Sequence, residues 1–432
     1  MKKVAILTTF TGVDEAYSLI GVVQNQIRML VSSGYNPVVI VREGFRPEQT
    51  FAFPQVDLKY IPNVPCSNFI SEAVDESFKA DVEKLKDSLV ESLKGVDVVI
   101  THDLIYQPES LKLNFAARQI TEKVYTKIRW LHWIHSATSP QTLGNELKQN
   151  DSYFDIISRK FPNSFVVFPN AYSIPRVARN FGYEEDRVKV VHHSTNMPSY
   201  CKWDELVTKL VIEKNMLQAD AIAVYPIRLD RGKQVEVVIK IMAQLKKLKS
   251  SVRVVICDFH STGGDKVVYR EELKKIAIDW GLNENDLTFV SEFDEHWKTS
   301  VPNKVIHDLF ELSNVFIMPS RSETYSLIAQ EAGLSGNLLV LNHDFAPFRD
   351  IYGKHAIYKQ FSANIGFDGL DGETNTTFGD ERAYFHDVAM RIKYELENNM
   401  VLAQQKRLRK QRNPIWVFKN ELEPLLYAEQ EN

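Results

Sequence analysis

The sequence predicts an α/β protein made of two doubly wound domains, and three observations carry that prediction. Short apolar, β-branched runs bounded by turn residues alternate with longer amphipathic segments, the pattern of parallel sheets with helical crossovers. The alternation starts afresh at Ala221, after a stretch rich in turn residues and charge. The chain has 432 residues, 44% of them hydrophobic and 25% charged, which is enough for two large cores.

In the first series VAILTTF (4–10) reads as a buried strand. From Ala16 to Ser33 the chain sets Ile20, Val23, Ile27, Leu30 and Val31 on one helical face, and Gly34 stops that helix. Strands follow at VVIV (38–41), VDVVIT (96–101), IRWLHWIH (128–135), SFVVF (164–168) and VKVV (188–191). The second series runs AIAVYPI (221–227), VRVVIC (252–257), DLTFV (286–290), VFIMP (315–319) and NLLVL (337–341). Between them HHSTNMPSYCKWDELVTK mixes turn residues, Pro198 and charge, so a linker is expected at 196–218. That leaves domains at 1–195 and 219–405, with 406–432 as a terminal segment packing back on the first domain. LDGETNTTFGDE (370–381) reads as a polar loop, and PIWVFKNELEPLLY (414–427) as a last amphipathic segment.

A formal net charge of -4 gives no overall basic field, so a nucleic acid or anionic membrane would need a local patch. The run KRLRKQR (406–412) is the one candidate for such a contact, against the plainer reading of a solvated helical face. Cys66, Cys201 and Cys257 are too few and scattered for a disulfide framework, a redox motif or a zinc ribbon, which fits a reducing cytoplasm. The start MKKVAILTTFTGVDE is basic, but its apolar stretch is short and runs into Asp14 and Glu15, unlike a signal peptide. No apolar run approaches the ~20 residues of a membrane span.

Doubly wound domains often bind nucleotides, yet the usual phosphate loops are missing. None of the 18 glycines forms a Gly-x-Gly pair, and Gly232-Lys233 and Gly353-Lys354 lack the upstream glycine of a Walker loop. There is no His-Glu-x-x-His, Gly-x-Ser-x-Gly or Asp-x-Asp. The last absence argues against a metal-chelating acidic pair, so no metal and no separate cofactor is expected, and an anionic ligand must be met by cations and helix N-termini.

The informative stretch is VFIMPSRSETYSLIAQEAGLSGNLLVL (315–341), which reads strand, loop, helix, glycine, strand. Glu323 lies in the loop at the carboxyl end of a strand, where open α/β sheets bind ligands. Ser326 is a good N-cap for a helix starting near Leu327, whose free amides can hold phosphate oxygens. Glu331 falls about one turn into that helix, where a carboxylate can accept hydrogen bonds from a vicinal diol such as a ribose. The interval alone proves little, since Glu83 with Glu91 and Glu284 with Glu292 repeat it; context discriminates. In the first half, strands end on His102 and His135, while His132 has the parity of a core residue.

In that context PSRSETYSLIAQEA resembles the Glu-x7-Glu motif of retaining GT-B glycosyltransferases, especially the large family 4 that includes sucrose synthases and many bacterial mannosyl and glucosyl transferases. YPIRLDRGKQVEVVIKIMAQLKK (225–247) is similar to the family's strand, Arg, short loop, Lys and helix. The resemblance implies two Rossmann-like domains facing across a cleft. It makes Arg228 and Lys233 the cations on the donor diphosphate and Glu323 the residue on the sugar hydroxyls. By the same resemblance His135 faces the transferred sugar, with His102 as a second candidate, and Gly12 is the remnant of a Gly-rich loop near donor and acceptor. The expected reaction is metal-independent transfer of a hexose-type sugar from a UDP-, GDP- or ADP-sugar to an unidentified acceptor, with retention. HHSTN (192–196), CDFHSTGGD (257–265) and NHDFAPFRDIYG (342–353) depart from the family pattern, so Asp344 to Ala346 are weak donor contacts. Those departures keep other readings open: a nucleotide-sugar epimerase, a nucleic-acid base glycosyltransferase, or a sugar-nucleotide-binding protein without turnover.

Overall fold

The computed structural model describes residues 1–12, 18–46, 53–65, 75–136, 159–258, 265–321, 323, 325–361 and 380–428. The chain forms two compact units, Met1–Asn196 with Arg412–Asn432, and Met197–Gln411.

The first unit is built on β1 (Val4–Leu7), β2 (Val38–Arg42), β3 (Asp57–Ile61), β4 (Val98–His102), β5 (Arg129–Trp133), β6 (Ser164–Phe168) and β7 (Val188–Val190), in the sheet order β3-β2-β1-β4-β5-β6-β7. All neighbours are parallel. Side chains of β1 alternate between faces: Ala5 and Leu7 pack with Val82, Leu85 and Ala116, while Val4 and Ile6 join Ile20, Val23 and Ile27. Because both faces are covered, β1, β2, β4 and β5 are buried end to end, and VAIL of β1 and VVIV of β2 read as unbroken hydrophobic runs. The helix Ser18–Ser32 ends where Gly34 takes φ +85, a left-handed turn that glycine adopts without strain.

The C-terminal segment belongs to this unit. Val417, Phe418, Leu422 and Leu426 are buried in the same cluster as Ile20 and Ile27. The Arg129 guanidinium donates to the carbonyls of Leu425 (3.3 Å), Leu426 (2.8 Å) and Ala428, satisfying the orphan acceptors where the helix Glu423–Tyr427 ends.

The second unit repeats the plan with β8 (Ala221–Pro226), β9 (Val252–Cys257), β10 (Leu287–Phe289), β11 (Val315–Met318), β12 (Leu338–Asn342) and β13 (Ile357–Lys359), ordered β10-β9-β8-β11-β12-β13 and parallel throughout. Its core runs through Val224, Ile241, Val255, Phe316 and Val340.

Three expectations need correction. β3 and β13 were not foreseen: both are edge strands, β3 burying only Ile61 and β13 burying no residue fully, so neither shows the apolar run of an inner strand. Residues 196–218, read as a linker, are folded within the second unit. Helices Met197–Tyr200 and Glu205–Glu213 form there, and Val207, Leu210 and Val211 are buried beneath the charges that suggested a loop. The expected break at 406 falls inside the helix Met400–Gln411, and the chain changes unit at Arg412 instead. Most of the polar loop 370–381 lies outside the described residues, as does Cys66; Asp380 caps the helix Glu381–Asn398. Among the described residues no helix is long and apolar enough to cross a membrane.

Candidate active site

Open parallel sheets bind ligands beyond the carboxyl ends of their strands, where the strand order reverses. In the second unit that point lies between β8 and β11, and in the first between β1 and β4.

The loop after β8 carries Arg228 and Lys233, and the loop after β11 carries Glu323 and Ser326. The hydroxyl of Tyr225, buried near the end of β8, donates to the Lys233 carbonyl (3.1 Å) and lies 3.0 Å from Ser320 Oγ. The Arg321 amide donates to the Gly232 carbonyl at 3.0 Å. These bonds tie the two loops together and bring Lys233 Nζ onto Glu323 Oε1 in an ion pair whose side chains are only 22% and 16% exposed. Arg228 is more open and faces Asp230, with Nε 3.7 Å from Oδ2.

Ser326 Oγ accepts from the Ala329 amide (3.3 Å) and so caps the helix Leu327–Leu334. Its backbone is left-handed (φ 71), as is that of Gln234 (φ 52), which follows Lys233. Such conformations cost of order 1–3 kcal/mol in residues other than glycine and gather at ligand-binding sites. Glu331 is exposed on the helix and, with Leu327, Pro226, Val301 and Ile306, lines a cavity of about 1100 Å³, ample for a nucleotide.

In the first unit His102 ends β4, and His135 lies just beyond β5. Their rings lie within 18° of parallel with centroids 5.4 Å apart, and the ring of His193 lies within 7° of parallel to that of His135 at 5.5 Å. His102 Nδ1 is 3.1 Å from His135 Nε2, and its own Nε2 is 2.9 Å from Gln26 Oε1. Asp103, left-handed at φ 54, accepts from the His135 amide (2.9 Å) and from the Tyr106 hydroxyl (2.7 Å). Burial pushes His102 well below the usual histidine range, helped by the charge that His135 and His193 would carry. His135 and His193 are lowered mainly by the same desolvation, with Asp103 opposing the effect at His135.

A group whose folded pKa is depressed stabilises the fold above its unfolded value, here 6.5, and loses that contribution as pH falls through the folded value. The melting temperature should therefore decline on acidification from about pH 7 to about pH 5, and His102→Gln should flatten the decline. An equally steep decline in the variant would remove the histidine cluster as its cause.

The structure thus brings together Lys233 with Glu323, Ser326 with Leu327 and Glu331, and His102 with His135. Gly12 is exposed, and among the described residues a Cβ there would meet nothing within 4 Å. His132 is fully buried, 2.8 Å from Thr101 Oγ1 and packed against Phe161. The basic run 406–412 is not one exposed face: Arg409 is buried on the Leu312 and Ala219 carbonyls, and Lys410 pairs with Asp220. Sequence reasoning missed Tyr225, Asp103, His193 and Gln26. A tyrosine inside an apolar strand, whose hydroxyl needs a partner once buried, was the available signal for Tyr225.

Among the described residues one group, His307, Asp308 and Glu311, has the spacing of metal ligands. Its charges are already met by protein, since Lys304 binds Asp308 and Trp203 Nε1 donates to Glu311.

Two doubly wound parallel sheets are the two Rossmann-like halves of a GT-B protein. Residues 212–358 match the family model described as Glycosyl transferases group 1, a span that includes Arg228, Lys233, Glu323, Ser326, Leu327 and Glu331, and this supports a glycosyltransferase. No curated protein matches the sequence. Similar solved structures include HepE of Anabaena in complex with UDP, at 13% identity over 99% of this chain and 100% of that one, with a TM-score of 0.36. A glycosyltransferase from Rickettsia africae shows 13% identity over 99% and 100% of the two chains, with a TM-score of 0.37. Sucrose-phosphate synthase from Thermosynechococcus elongatus shows 13% over 98% and 96%, with a TM-score of 0.32. Likeness at this level carries no argument about substrate.

Proposed function

We propose that the protein is a retaining, metal-independent glycosyltransferase that moves a hexose-type sugar from a nucleoside diphosphate sugar to an acceptor. The observation that supports this reading is the Lys233–Glu323 pair, held at the strand-order reversal of the second sheet inside the matched span. The bond between the anomeric carbon and the phosphate oxygen breaks as the diphosphate leaves, and the acceptor oxygen attacks from the same face. Its proton passes to an oxygen of the departing phosphate. Arg228 and Lys233 meet the charge that grows on the leaving group. Glu323 keeps one carboxylate oxygen for sugar hydroxyls while the other holds Lys233. Glu331 accepts from the ribose diol, and amides at Ser326 and Leu327 receive phosphate oxygens. In the first domain His135 contacts the transferred sugar, backed by His102, and Gly12 gives backbone access to the ligands. A cytoplasmic location belongs to the same reading.

The test is release of nucleoside diphosphate from UDP-, GDP- and ADP-glucose and from GDP-mannose, with and without EDTA. One donor should be turned over, and chelation should leave the rate intact, because no acidic pair is proposed to carry a metal. Loss of activity on chelation, restored by magnesium or manganese, would sink the cationic site. Nucleotide affinity without release from any donor would favour a binding protein.

A further inference from the structure

Two buried N–H donors beside the histidine cluster have no acceptor among the described residues: Gln26 Nε2 and Trp133 Nε1. Both side chains belong to residues only 2% exposed, and both line a cavity of about 20 Å³ with Val22, Met29, His193 and Ser194. An unmet buried donor costs about 1–3 kcal/mol. A polar cavity of ~10–15 Å³ or more accommodates one water, which can accept from two such donors and give its own protons to further groups. Gln26 presents Oε1 to His102, which leaves its nitrogen for such a water.

The consequence runs through both rings. An amide oxygen only accepts, so His102 Nε2, 2.9 Å away, must carry the proton. A neutral imidazole has one N–H, which leaves His102 Nδ1 bare and able to accept from His135 Nε2 at 3.1 Å. His135 then holds its single proton on Nε2, and its Nδ1 is bare. Rotating the Gln26 amide by half a turn would reverse every link and place the proton on His135 Nδ1.

We propose that Gln26, anchored by a buried water shared with Trp133, is a positioning residue that fixes His102, and through it His135, in the Nε2–H form, leaving His135 Nδ1 as a hydrogen-bond acceptor. A sugar hydroxyl would then donate to His135 rather than accept from it. That last step rests on the proposed glycosyl transfer; the tautomer does not.

The experiment is imidazole nitrogen NMR on the full chain near neutral pH, where protonated and bare ring nitrogens are distinguished directly. Wild-type His102 and His135 should both show the Nε2–H form. Gln26→Leu, which removes the acceptor, should turn the His135 signal into a mixture of tautomers. A wild-type His135 protonated on Nδ1 overturns the proposal, as does a folded Gln26→Leu variant with an unchanged tautomer. Should Gln26→Leu fail to fold, the wild-type spectrum still decides. Failure of every nucleotide sugar to turn over would leave the NMR result standing, so the two readings fall separately.

Discussion

Lys233→Ala should cut turnover by on the order of 100-fold, with donor affinity falling much less. The ammonium meets a diphosphate whose charge rises as the sugar leaves, so its largest contribution comes in the transition state rather than in the bound ground state. Its position is not left to a flexible side chain: the Tyr225 hydroxyl holds the Lys233 carbonyl, and Glu323 holds Nζ. Arg228→Ala should act in the same direction by a similar factor. Glu323→Gln should also damage turnover, both through the sugar contact and by loosening Lys233. The control is Glu83→Gln. Glu83 repeats the interval to Glu91 but lies on the exposed face of the helix Glu76–Ser92, where it pairs with Lys86. Surface pairs of that kind contribute about 0–1 kcal/mol, and its loss should be silent in nucleoside diphosphate release. If Glu83→Gln harmed turnover as much as Glu323→Gln while both stayed folded, the assignment of the site to the loop after β11 would fail.

A nucleoside diphosphate at about 100 times its dissociation constant should stabilise the wild type by about 2.7 kcal/mol, read as a rise in melting temperature. Glu331→Ala should remove much of that rise. The carboxylate is exposed and lines the large cavity of the second unit, so the substitution should leave the fold of the free protein intact. The contrast between variant and wild type therefore reports binding rather than scaffold. If UDP, GDP and ADP all leave the wild-type melting temperature unmoved, the donor site proposed here is wrong.

The inner strands were legible because both of their faces are buried: β8 and β11 are apolar from end to end, and the loops behind them could be located before any coordinates. Glu323, Ser326 and Glu331 stood out because strand, loop and capped helix follow one another locally. The Lys233–Glu323 contact joins residues 90 apart and has no local signature; it depends on β8 and β11 being neighbours. The same holds for His102, His135 and Gln26, which meet only through the pairing of β4 with β5 and the packing of the first helix. Edge strands β3 and β13 escaped because exposure removes the hydrophobic pattern. Residues 205–213 were misread because Asp204, Glu205 and Lys209 masked a helical repeat of Val207, Leu210 and Val211.

The return of the chain to its first unit sets an order on synthesis. Met197–Gln411 is continuous, so its residues have all been made while Arg412–Asn432 is still to come. The first unit begins earlier but is completed later, because Val417, Phe418, Leu422 and Leu426 fill one side of its sheet and follow the whole second unit in the chain. Domains generally fold as units as they leave the ribosome, N-terminal first. Here the order differs: the earlier-made half keeps an apolar face uncovered until residues 412–426 have been made, and a chain that stalls near Gln411 carries a complete second unit and an unfinished first one.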